Sequence, residues 1–333
     1  LVELSYLEGA GSDKKYEGAV EFVGKAEWEA EVEDLMGDLT TQEGRAVLHV
    51  NPGAHNYESW CKLYAVYGET FTHSSLATGQ VVNGRRVYKP MMSEDLQKKL
   101  LRDHTVTHKL GTQEKVVSYD ARDFRRKLEQ YMDSANEVSQ GQFWPIVKRV
   151  KARGKWDILK SGTVFVDAPG VNDDNSSRDK VVKSYLQSAD SIWIVSNINR
   201  AVNDKTAKDM LDHNFRRQLL MDGSYGSLVF VATQSDVLQR SEVVRSMRLS
   251  QDASLSHCAQ VRCRYTRRTV ESHYIDGLED MARAAGDVPD RAALESRFRL
   301  PVFCVSAIEY QKLAGLRPGD GPAHVWKDPK DTQ

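Results

Sequence analysis

Four short segments, each apolar, rich in β-branched residues and closed by a polar turn, limit what this chain can fold into. They are Thr163–Val166 within SGTVFVDAPG, Ser191–Ser196 in SIWIVS, Leu228–Ala232 in LVFVAT and Pro301–Val305 in PVFCVSA. Runs of this length without polar alternation read as strands buried on both faces, the pattern of a parallel sheet. Amphipathic helical stretches lie between them. Arg178–Gln187 places Val181, Val182, Tyr185 and Leu186 on one face, behind a cap at Ser176 or Ser177. Lys205–Leu220 repeats the arrangement with Ala207, Met210, Leu211 and Leu219. Alternation of strand and helix predicts an α/β fold, a mostly parallel sheet with helices on both faces. Ligands of such sheets sit at the carboxyl ends of the strands, where DAPG, TQSD and VSA all fall.

Two regions exceed a minimal α/β domain. Residues 8–154 read mainly as helices, at Lys25–Met36, Tyr57–Tyr67, Ser93–Arg102 and Asp120–Met132, with one strand at Gly18–Val23. Residues 239–299 are also mostly helical and polar. Both read as insertions in one domain spanning 1–314, with a separate subdomain as the alternative for the first. Gly315–Gln333, rich in glycine, proline and charge, reads as a linker out of that domain. With 46 basic and 47 acidic side chains the net charge is −1, which provides no field for a dedicated nucleic-acid or anionic-membrane binder. No apolar run approaches the roughly 18 residues of a membrane helix. The four cysteines (Cys61, Cys258, Cys263, Cys304) form no C-x-x-C pair, which argues against structural zinc or a disulfide scaffold and fits a reducing interior.

The strand-end turns carry the chemistry. VFVDAPG at 164–170 puts an acidic residue at the end of a buried strand with glycine three residues on, the D-x-x-G arrangement. Asp167 would hold a nucleotide-bound Mg²⁺ through water, because Mg²⁺ keeps much of its hydration. Gly170, without a side chain, lets its N–H approach a terminal phosphate. VATQSD at 231–236 has the form of a guanine-recognition loop, T/N-K-x-D. The Asp236 carboxylate would accept two hydrogen bonds from guanine, a donor pair that adenine lacks. Gln234 stands where the usual lysine would lie along the base, which puts guanine affinity in question. VSA at 305–307 adds Ser306, which shapes its turn, and Ala307, whose N–H would donate to guanine O6. Each motif alone is also ordinary turn chemistry. Their order, one on each of three strands, points to a GTPase-type domain.

These residues resemble the dynamin-like large GTPases and, within them, the nuclear SLIP-GC group. The resemblance rests on FVDAPGVND at 165–173, WPIVK at 144–148 and NRAVNDKTAKDML at 199–211. VFVATQSD at 229–236 and LPVFCVSAIEYQKLAG at 300–315 extend it. It implies a P-loop NTPase-like G domain that binds GTP or GDP with Mg²⁺ and hydrolyses GTP. It also implies dimerisation across the nucleotide sites, coupling to a helical stalk, and a nuclear or cytoplasmic location. On this alignment Asp167 and Gly170 serve the metal and phosphate, and Thr233, Gln234, Asp236, Ser306 and Ala307 serve the base.

No G-x-x-x-x-G-K-[ST] occurs in the 333 residues, and GAGSDKKYEG at 9–18 and HVNPGAH at 49–55 lack the glycine-lysine-hydroxyl ending. Because Leu1–Leu7 reads as a strand with neither a methionine nor a leader before it, the central first strand, phosphate loop and first switch are expected upstream of Leu1. Phosphate binding by the chain as it stands is expected to be impaired, and no catalytic residue is named. Two alternatives stay open: a nucleotide-insensitive interaction module on the same fold, and, more weakly, a nucleic-acid-associated factor. The latter draws only on Lys148, Arg149, Lys151, Arg153 and Lys155 and on Arg264, Tyr265, Arg267 and Arg268, which read first as solvated charge. His104 and His108, spaced i, i+4, lack the glutamate and third ligand of a zinc site.

Overall fold

The computed structural model describes residues 1–9, 15–82, 85–132, 142–168, 189–202 and 228–332. The chain divides into two units, Leu1–Ala168 and Pro169–Gln333. The first unit holds β1 (Val2–Tyr6), β2 (Tyr16–Phe22), β3 (Ser75–Val82), β4 (Arg85–Pro90), β5 (Gln113–Ser118), β6 (Val147–Gly154) and β7 (Phe165–Asp167). Five of these form a sheet in the order β5-β2-β6-β1-β7, and β3 pairs with β4 alone. Only β1 and β6 run parallel in the five-stranded sheet; β2 is antiparallel to β5 and β6, and β7 is antiparallel to β1.

One face of β2 organises the packing. Val20 and Phe22 are buried there, and the helix Lys25–Asp38 buries Trp28, Val32, Leu35 and Met36 at the three- and four-residue spacing of one helical stripe. Trp28 Nε1 donates to Tyr67 Oη at 2.9 Å, and burial pushes the Tyr67 hydroxyl up to about 12. The helix Ala121–Met132 lies so close over β2 that a Cβ on Gly18 would stand 3.1 Å from Leu128 and 3.2 Å from Phe124. Glycine leaves room for that approach; a Cβ there would require Leu128 and Phe124 to give by a few tenths of an ångström.

The basic run at 148–155 resolves into β6, where charged and apolar residues alternate. Arg149 meets Glu21 at 2.6 Å and Glu3 at 3.2 Å, and Lys151 meets Glu3 at 3.7 Å. Arg149 and Lys151 thus form cross-strand ion pairs, while Lys148 reaches Glu27 of the helix Lys25–Asp38 at 3.5 Å. Among the described residues of 8–154 there are five strands, β2 to β6, where the sequence suggested one. In β4, β5 and β6 adjacent charges (Arg85–Arg86, Glu114–Lys115, Lys148–Arg149) interrupt the apolar alternation that would have marked a strand. The hairpin β3–β4 did have a signal in VVNGRR, an Asn-Gly pair between extended runs. His108 Nδ1 lies 2.6 Å from the His104 carbonyl oxygen, a contact within its own helical turn.

The second unit contains β8 (Ile192–Asn197), β9 (Leu228–Thr233) and β10 (Val302–Cys304), all parallel, in the order β10-β9-β8. Phe230 and Ala232 are fully buried against the helix Leu255–Ala284, which contributes Ala259, Cys263, Val270, Tyr274, Ile275 and Leu278. Ser254 caps that helix by accepting the His257 N–H at 3.1 Å. The fold is therefore mixed α/β, with parallel pairing at β8–β9–β10 and at β1–β6 among the described residues. Burial on both faces, expected for these strands, is seen on one: Trp193, Val195 and Phe303 are 52, 60 and 47% exposed. The amphipathic segments 178–187 and 205–220 lie outside the described residues.

The tail differs from a linker. Glu309, fully buried, accepts the backbone N–H groups of His324 and Val325 at 2.9 Å and of Trp326 at 3.3 Å. Val325 and Trp326 join the core of the second unit. Composition alone hides this, because the partner of the tail is one buried carboxylate in a helix fifteen residues earlier.

Candidate functional site

Parallel pairing puts the carboxyl ends of β8, β9 and β10 on one rim, since Asn197 is the register partner of Thr233 and Cys304 that of Ala232. The three turns leaving that rim are tied together. Thr233 Oγ1 donates to the Ser196 carbonyl at 3.3 Å. The Ser235 N–H donates to the Val305 carbonyl at 3.1 Å, and the Val305 N–H to that of Ala232 at 2.8 Å. Ser306 Oγ donates to Asp236 Oδ1 at 2.5 Å and accepts the Glu309 N–H at 3.2 Å, so one hydroxyl both orients the acidic side chain and caps the helix Ala307–Leu313.

Gln234 turns the loop. Its φ is +58°, a left-handed conformation that costs a non-glycine residue about 1–2 kcal/mol. Asn197 Nδ2 donates to its side-chain oxygen. The structure thus brings Thr233, Gln234, Asp236, Ser306 and Ala307 together, with Asp236 half-buried and Ala307 exposed. Asp167 belongs to the first unit, exposed at the end of β7, where its backbone pairs with Val2. Gly170 and the acidic segment 172–179 lie outside the described residues.

Two residues of this rim escaped the sequence reading. Asn197 ends β8, and its Oδ1 accepts the Asn199 N–H at 2.8 Å to cap the helix Ile198–Ala201. Arg262, on the helix Leu255–Ala284, reaches the loop from the side and donates to the Ser235 carbonyl at 3.0 Å. Its neighbours Arg264 and Arg268 are exposed, as expected of solvated charge, whereas Arg267 is half-buried. Nothing local in RCRYTRR distinguishes Arg262 from these three. A long helix beside β9 was the one available signal.

Among the described residues no helix is long and apolar enough to cross a membrane. Residues 71–234 match the Dynamin family (Dynamin_N). The mouse protein "Nuclear GTPase SLIP-GC" is 25% identical over 254 residues, covering 73% of this chain and 29% of its own length. Its human counterpart is 23% identical over 256 residues with the same two shares. A solved chain of an oligomerised bacterial dynamin pair that senses and tethers membranes covers 92% of this chain and 34% of its own. Its TM-score is 0.43 and its identity 15%. The chain therefore spans 29% of the length of the curated relatives it matches. The family match contains Asp167, Thr233 and Gln234 and ends two residues before Asp236. By that match and these relatives, residues 71–234 are similar to the Dynamin family and the chain resembles the dynamin-like large GTPases.

Proposed function

We propose that this protein binds GTP and hydrolyses it, and that residues 233–236 with 306–307 form the base-recognition part of the site. The observation that carries this is the Ser306–Asp236 hydrogen bond at 2.5 Å, made at the carboxyl rim of a parallel sheet, where nucleotides bind in such folds. A carboxylate oriented in this way accepts the N1–H and the exocyclic amine of guanine together. Ala307, at the start of its helix, presents an N–H suited to O6. Thr233 and Gln234 shape the wall beside the base.

Asp167 offers a hard carboxylate oxygen in a solvent-exposed place, chemistry that suits a Mg²⁺ keeping most of its waters. When bound with the nucleotide, Mg²⁺ would neutralise charge on the phosphates. Gly170 belongs to the same proposal as the γ-phosphate contact, and hydrolysis would proceed by in-line attack of water. The chain's own sequence has no G-x-x-x-x-G-K-[ST], so phosphate binding by these 333 residues alone is proposed to be weak. Association of two such domains across their nucleotide sites belongs to this reading, as does an intracellular location, nuclear or cytoplasmic; the relatives' name says nuclear. A second reading, a nucleotide-insensitive interaction module, is favoured by one observation. Gln234 replaces the expected lysine and is engaged by Asn197 instead.

Calorimetric titration of the full-length protein decides. The expected result is GTP binding with ATP at least about 100-fold weaker, and a preference moved from GTP toward XTP by Asp236→Asn. Binding of neither nucleotide would remove the enzyme and leave the module. Unchanged GTP affinity in Asp236→Asn would detach the loop from base recognition.

A further inference from the structure

The turn that carries Asp236 is bracketed by a single cation. Arg262 Nη2 donates to the Ser235 carbonyl at 3.0 Å, and Arg262 Nη1 donates to the Val237 carbonyl at 2.8 Å and to Asn199 Oδ1 at 3.1 Å. The two carbonyls belong to the residues immediately before and after Asp236, so the guanidinium holds the peptide that enters the acidic residue (235–236) and the next but one (237–238), bracketing it from both sides. Its third acceptor lies just past the end of β8, which ties the loop to the neighbouring strand. From the opposite direction the Ser235 N–H is held by Val305 and the Asp236 carboxylate by Ser306. The backbone is therefore held both by the helix bearing Arg262 and by the turn after β10, and the carboxylate by that same turn through Ser306.

We propose that Arg262 is a positioning residue for base selection: it holds the 235–237 backbone so that Asp236 presents both carboxylate oxygens to the Watson–Crick edge of guanine. This rests on the base-recognition reading above. The role needs arginine specifically. A planar fork reaches two carbonyls and a side-chain amide at fixed angles, whereas a lysine ammonium on a flexible stem satisfies them one at a time. Arg262 touches no nucleotide in this scheme, and its effect passes entirely through Asp236. A loop loosened in this way keeps its fold and its contact with N1–H but loses the alignment required by the second hydrogen bond, the one to the 2-amino group.

The ratio of GTP to ITP affinity reads that second bond directly, because hypoxanthine lacks the 2-amino group and is otherwise the same base. In the full-length protein the expected result is a GTP preference over ITP that falls about tenfold in Arg262→Lys. ITP affinity and thermal midpoint should barely move, and Asp236→Asn should show no further loss when Arg262→Lys is added. Equal loss of GTP and ITP affinity, or an unchanged ratio in a folded Arg262→Lys protein, would overturn the positioning role. Should Arg262→Lys not fold, Asn199→Ala removes one of the three acceptors at an exposed position; a fallen ratio there supports the role and an unmoved one overturns it. If the unaltered protein shows no preference for GTP over ITP, the base-recognition reading itself fails, which is distinct from a preference that survives the loss of Arg262.

Discussion

Two turns with nearly the same sequence logic end differently in this molecule. β7 and β9 both finish an apolar run in an acidic motif, FVDAPG and VFVATQSD. β9 is paired on both sides, alternates buried and half-buried residues along its length, and delivers Asp236 into a network with Ser306 and Arg262. Among the described residues β7, three residues long, pairs only with β1, and Asp167 is exposed. The difference lies in the neighbours. A turn leaving the middle of a parallel sheet meets two other turns at the same rim and is fixed by them. Asp167, at the end of the three-residue β7, is exposed. Between these two carboxylates the constraint follows the pairing of the strand that carries them, and similar motif grammar does not confer it.

The comparison implies that the rim of the second unit is stabilised by its polar contacts, and the largest test is Glu309. Glu309→Ala removes the shared acceptor of three backbone N–H groups in a fully buried place. A loss of about 3–5 kcal/mol in urea unfolding is expected; a loss below about 1 kcal/mol would mean that the tail adds nothing to the rim. Ser306→Ala comes next. It removes a helix cap and the donor that holds Asp236, together about 2 kcal/mol. Asp236→Asn made in the Ser306→Ala background should cost less than it does alone, because the shared hydrogen bond is already gone.

The parallel strands were readable because their residues are apolar without interruption: SIWIVS, LVFVAT and PVFCVSA each lie within two residues of the observed β8, β9 and β10. The helix Tyr57–Tyr67 was readable to the residue. β5 and β6 were not, since QEKVVS and VKRVKARG owe their stability to cross-strand partners such as Glu3 and Glu21, more than a hundred residues from Arg149. The same reason hid Arg262 and Glu309. Each is a charged residue in a helix, with a local sequence like that of any solvated neighbour, and each acquires its role only from backbone groups brought to it by the fold. Asp236 and Ser306 were legible because their positions after strands put them on the rim before any packing was known.

A pH experiment tests the charge cluster around Asp123 in the first unit. Hydrogen bonds from Lys127, Ser118 and Arg126 hold the Asp123 carboxyl down at about 2, below its ordinary range. A carboxyl depressed in the folded state stabilises above its unfolded value and loses that contribution as protons bind. Stability should therefore fall as pH drops from about 4 to about 2, and Asp123→Asn should flatten the slope in that window. The pairs are exposed, so the effect is modest and shrinks further in high salt.

Smallest of all should be Asp167→Asn. The side chain is exposed and its strand is held by backbone pairing to β1, neither of which changes when one carboxylate oxygen becomes an amide. Surface substitutions without a buried partner move stability by no more than about 0.5 kcal/mol, whereas Asp236→Asn gives up a charge-assisted bond to Ser306 worth about 1–2 kcal/mol. Urea midpoints of the two variants, measured side by side without nucleotide, compare the two turns on one scale. A cost at Asp167 equal to that at Asp236 would show that the Asp167 side chain is as tightly held as that of Asp236, and strand pairing would no longer separate the two carboxylates. A cost near zero at Asp167, set against a measurable one at Asp236, leaves the β7 carboxylate free of any folding role and available for a ligand.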